Sequence, residues 1–137
     1  MTKSIALLVL CALYFTACHT SKNKFIFKVV EQMPEFPGGE QALYQYIAAS
    51  VRYPDSATYF GKEATVRVKF MIDEYGSIDS VSTVQQFGYG LNREAERVVK
   101  NMPPWKPAMN NGLPVKVYFQ IPIKFVLADD TLKQQAK

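Results

Sequence analysis

Thiol and imidazole groups are almost missing from this chain. Its 137 residues contain 2 cysteines, Cys11 and Cys18, and 1 histidine, His19. Beyond position 19 there is therefore no thiolate nucleophile, no imidazole base and no disulfide to close the fold. His19 has only Thr20, Ser21, Lys22 and Asn23 after it, which supply no partners for a metal site, so it reads as a solvated linker residue. No apolar run reaches the roughly 20 residues that a bilayer-spanning helix needs. Charge of one sign is scarce as well: 16 Lys+Arg against 12 Asp+Glu give a net +4, with no dense basic stripe and no recognition motif. Nucleic acid is not the partner that such a balance describes. Gly38 and Gly39 are not followed by the Lys-Ser/Thr of a phosphate loop. Asp73 and Glu74 are adjacent carboxylates, but they sit in a turn that takes Asp for backbone reasons, with no histidine or thiol to complete an acid/base pair. The chain thus reads as no enzyme, with no metal and no cofactor.

What is present is a leader and one domain. Lys3, an apolar stretch over 5–15 and the sequence Phe15-Thr16-Ala17-Cys18 resemble a bacterial lipoprotein signal, with 1–17 removed and Cys18 carrying the lipid. An ordinary cleaved signal and a short uncleaved anchor are the alternatives. Removal of Lys3 would leave a net +3. Residues 18–30 form a polar, basic tether ending in a candidate first strand over 25–30. Residues 31–127 hold the domain, and with 48% hydrophobic residues roughly 100 positions can bury one core but not two. Residues 128–137 have no apolar period and read as a frayed tail.

Inside the domain the elements follow from periodicity. Pro34, Pro37, Gly38 and Gly39 break any element before a helix over about 40–51, whose stripe is Leu43, Tyr46, Ile47 and Val51. Tyr53-Pro54 ends it, and 55–59 adds a turn. Residues 64–72 alternate, with Val66, Val68, Phe70 and Ile72 on one side. The Asp73-Glu74-Tyr75-Gly76 connection returns a strand over 77–86, whose parity shift between Ile78 and Val81 predicts a bulge. A second helix, capped by Asn92, runs to Met102, where Pro103 and Pro104 stop it. After the turn at Asn110, Asn111 and Gly112, Val115 to Phe125 alternate as one long strand. Trp105, the only tryptophan, follows the helix directly; it reads as an anchor between helix and sheet, with ligand stacking as the alternative.

That order of elements, with Tyr53-Pro54, Gly61, Val66 to Phe70, Asp73 with Gly76, Glu94-Ala95, Val98-Val99, Met102-Pro103, Trp105-Lys106-Pro107, Asn111-Gly112 and Ile121 to Phe125 at the joints, resembles the C-terminal domain of the TonB energy-transducer family. The resemblance implies an α+β fold: a small antiparallel sheet of about three strands with helices on one face. It implies a periplasm-facing, lipid-anchored module that binds the N-terminal box peptide of outer-membrane TonB-dependent transporters by strand addition. The other reading is a structural or regulatory envelope lipoprotein that self-associates as a homodimer or holds a fixed partner. Full transducers also carry a membrane helix and a proline-rich spacer, which this sequence does not show. Pro122 selects the docking line, because its nitrogen must face away from a neighbouring strand. Backbone groups of Lys116, Tyr118 and Gln120 then share the free side with Pro122, while Val117, Phe119 and Ile121 bond inward.

Overall fold

Two nine-residue strands of apolar alternation find each other across the 44 residues, 73–116, between them. In the computed structural model, which describes residues 30–127, β1 (Ala64–Ile72) and β5 (Val117–Phe125) pair antiparallel in one unbroken register, from Ala64 opposite Phe125 to Ile72 opposite Val117. Strand β2 (Ile78–Thr83) pairs on the other side of β1, so the main sheet has the order β2-β1-β5. The remaining elements are α1 (Gly39–Ser50), α2 (Asp55–Tyr59), α3 (Leu91–Lys100) and a short hairpin of β3 (Ala108–Asn110) with β4 (Leu113–Val115). This is an α+β fold with a small antiparallel sheet. The predicted first strand lies outside the described residues except for Val30. So do the leader, Cys18 and the tail over 128–137.

One face of the sheet makes the core. Val66, Val68, Phe70 and Ile72 of β1 are fully buried, and Ile121, Ile123 and Phe125 of β5 join them. Onto these pack Leu91, Ala95, Val98 and Val99 of α3, and Leu43 of α1. The Tyr46 hydroxyl donates to the Val98 carbonyl at 3.1 Å, which ties α1 to α3. The opposite face of the sheet is basic, with Arg67, Lys69 and Lys124 exposed, and is wet except at Met71, which is buried.

Trp105 is 4% exposed and sits edge-on to Phe36, Phe70 and Phe119 at centroid distances of 5.4 to 5.7 Å. Its main chain closes on the β1–β2 turn, with Trp105 N donating to Gly76 O at 2.8 Å. In that turn Asp73 Oδ1 accepts from the main-chain N–H of Tyr75 and Ser77, and Gly76 takes φ +83, as the Asp-x-x-Gly pattern predicts. The expected bulge is also there: two residues of β2, Ser80 and Val81, lie against Phe70 alone, and Ser80 has φ +52.

Two local expectations need correction. Asn92 does not cap α3; the helix starts at Leu91 after Gly90 at φ 79. The Asn92 side chain is instead buried and holds the preceding loop, accepting from Phe87 N at 2.8 Å and donating to Thr83 Oγ1 at 2.9 Å and Gln85 O. A loop without regular structure must place its polar backbone groups somewhere, and a buried amide offers both a donor and an acceptor. The long final strand is also interrupted. Leu113–Val115 turns back on Ala108–Asn110 around Asn111 and Gly112, both at positive φ, and Lys116 falls in the break. The entering chain pairs with β3 and with the residues just before it, through reciprocal main-chain bonds of Gln32 with Met109 and of Glu35 with Lys106.

Candidate functional site

The outer side of β5 has no strand beside it among the described residues. Which backbone groups it presents is fixed from the far side of β1. Arg67 O accepts from Val84 N at 3.0 Å, so the main chain of Arg67 faces the β2 side. Its cross-strand partner is Pro122, and the two are therefore a pair that does not bond across the β1–β5 seam. The register contains no shift, so the parity carries along β5: Tyr118, Gln120, Pro122 and Lys124 turn their backbone groups outward, while Val117, Phe119, Ile121 and Ile123 turn theirs toward β1. A proline at the bonded parity would cost the ladder a donor; at this parity it costs nothing.

The side chains along this edge divide by face. Tyr118 is 43% exposed on the wet face, with Lys69 Nζ 4.3 Å from its ring centroid. Gln120 and Lys124 are exposed on the same side. Lys116, in the break before β5, pairs with Glu74 Oε2 at 3.3 Å across the sheet end. On the helix face, a cleft of about 290 Å³ opens between residues 119–122 of β5, α1 and the entering segment at Pro34, Glu35 and Phe36. Glu40 lies at this cleft and accepts from the Tyr44 hydroxyl at 3.0 Å; that bond and the carboxylate's charge push the Tyr44 hydroxyl's pKa up.

The sequence pointed to the β5 edge but not to the cleft, whose walls come from segments some 85 positions apart. The Pro34-Glu35-Phe36 run was legible only as a break between elements. Its one informative residue is Phe36, an aromatic between prolines that has to be buried somewhere; it is 6% exposed against Trp105 and Tyr46.

A second cleft, lined by Arg52, Arg93 and Arg97 together with Glu94, lies between the α1–α2 connection and α3. Two of its charges, Arg97 and Glu94, are spent on structure. Arg97 bonds both Glu94 oxygens and Ser50 O, and Glu94 Oε1 also accepts from Arg52 N at 2.7 Å. The Arg97 hydrogen bonds hold the Glu94 carboxyl below its ordinary value, with burial opposing. Among the described residues no group of three or more His, Cys, Asp or Glu gathers to hold a metal, and no helix is long and apolar enough to cross a membrane.

A small α+β domain whose three-stranded sheet ends, among the described residues, on an unpaired strand is the class that this architecture defines. The family model of the Gram-negative bacterial TonB protein C-terminal matches residues 49–127, and the chain belongs to that family. Domains of the family are envelope-associated on the periplasmic side and interact with outer-membrane transporters. Two solution structures of the Helicobacter pylori TonB C-terminal domain are similar, each at 25% sequence identity over 66% of this chain; the alignments cover 81% and 95% of those chains with TM-scores of 0.49 and 0.48. No curated protein matches the chain.

Proposed function

We propose that this protein is a lipid-anchored, periplasm-facing interaction module that takes the N-terminal box peptide of an outer-membrane TonB-dependent transporter as an added strand on β5. The observation that carries the reading is the edge of β5, bare among the described residues, with its outward main-chain groups at Tyr118, Gln120 and Pro122. Main-chain pairing supplies affinity for any extended peptide, and the side chains beside it supply preference. Lys116 and Lys124 border the edge and discourage indiscriminate pairing. The anchor is Cys18, joined to the domain by the polar tether that follows it.

Titration of a transporter-box peptide into the 15N-labelled chain tests the reading. Amide shifts centred on residues 118–124 are expected. Shifts centred on α3, with the β5 edge silent, would overturn it. Concentration-dependent shifts of the same amides without peptide would instead mark the edge as a self-pairing surface.

A further inference from the structure

Trp105 Nε1 is, among the described residues, the buried side-chain nitrogen or oxygen left without a hydrogen-bond partner. Trp105 also lines the cleft beside β5. A buried indole N–H ordinarily finds an acceptor, and leaving one unmade is costly. The cleft floor around it is apolar, from Phe36, Leu43, Ile47, Phe119 and Ile121, while Glu35 and Glu40 bring carboxylates to the same cleft.

We infer that this cleft is a side-chain pocket for the added strand, taking a large uncharged side chain that carries a hydrogen-bond acceptor, such as glutamine or tyrosine. The inference rests on the strand-addition reading above. A strand laid along β5 lies about 4.8 Å outside it and sends every second side chain to the helix face, where residues 119–122 open into the cleft. An apolar stem suits the floor, and an amide or hydroxyl oxygen at its end meets the indole donor once the side chains that bury Nε1 give way. A carboxylate would meet Glu35 and Glu40. The alternate side chains of the same strand project over the wet face, where Arg67, Lys69 and Lys124 favour acidic residues. The occupant is thus an extended peptide whose helix-side position is uncharged and large and whose flanking positions are acidic.

The test selects binders from a displayed library of random seven-residue peptides against the full chain, then titrates one into the 15N-labelled protein. A single tryptophan gives a single indole resonance, so the readout is unambiguous. Expected are a selected position rich in glutamine or tyrosine between acidic neighbours, shifts of the Tyr118 and Gln120 amides, and a downfield shift and slowed exchange of the indole N–H. Ile47→Phe, which fills the cleft from α1 without touching a β5 main-chain group, is expected to weaken the peptide about tenfold or more, and to leave unchanged a peptide truncated to alanine at the pocket position. If the edge amides move while the indole does not, or Ile47→Phe binds like the parent, the pocket is overturned and the edge stands. If a bound peptide moves neither the edge amides nor the indole, the edge reading fails and the pocket with it.

Discussion

Gly76 shows how a single missing atom positions the core. A Cβ built there would lie 1.7 Å from Trp105 O, and the residue holds φ +83. Gly76→Ala therefore combines left-handed strain with a backbone collision, and the turn and the Trp105 main chain cannot both stay in place. A loss of about 3 kcal/mol or more is expected, read from the midpoint of chemical denaturation. Glu94 does comparable work through charge, tying Arg52 and, through Arg97, Ser50 to α3. Its carboxyl is held below the ordinary value near 4.5, first by the hydrogen bond from Arg97 and then by the Arg52 main chain. A depressed folded-state pKa means that the unfolded chain binds the proton more readily. The stabilisation is therefore complete above pH of about 4.5 and is lost as pH falls through the depressed value. Glu94→Gln should flatten that acid limb of the stability curve and lower stability at neutral pH by about 1 kcal/mol, because Arg97 is partly exposed. An acid limb identical to the parent's would assign the pH dependence to another group.

At the scale of elements, strand β5 has two sides with opposite tolerance. Tyr118 turns its main chain outward, so Tyr118→Pro removes no ladder bond and forfeits mainly the contact with Lys69. Its stability should stay within about 1 kcal/mol of the parent while binding of an extended peptide is lost. Phe119 is opposite Phe70 and bonds inward, so Phe119→Pro breaks the ladder and removes a ring packed on Trp105; a loss of about 3 to 5 kcal/mol is expected. Thermal melts with a peptide titration separate the two, and equal damage from both would refute the assigned parity. That parity was legible in the sequence because Pro122 lies within a clean alternation, as were β1, α1 and the apolar face of α3. The β3–β4 hairpin was not, because three-residue strands are too short to show a period, and Val115 continued the alternation of β5 by coincidence of phase. Asn92 was misread for a related reason: a side-chain amide just before an apolar stripe looks like a cap, and only the course of residues 83–88 shows that the loop needs it more.

At the scale of the whole molecule, the proposed reading separates address from binding, and that separation can be tested. Between Cys18 and the first described residue, Val30, run residues 19–29, a span that reaches at most about 40 Å when fully extended. A lipid on Cys18 would hold the β5 edge close to one membrane surface, so the peptide must come to the domain rather than the domain to the peptide. Among the described residues the buried core runs from Phe36 to Phe125, with Val30 packed against it. On the proposed reading, losing the lipid should move the protein without changing what it binds. Cys18→Ala is expected to abolish fatty-acid labelling and to shift the protein out of the membrane fraction, while the affinity for a box peptide in solution stays that of the parent. Labelling that survives the change would overturn the lipid assignment. Labelling lost together with peptide affinity would show that the anchored end contributes to the edge, and would make the division into tether and domain wrong.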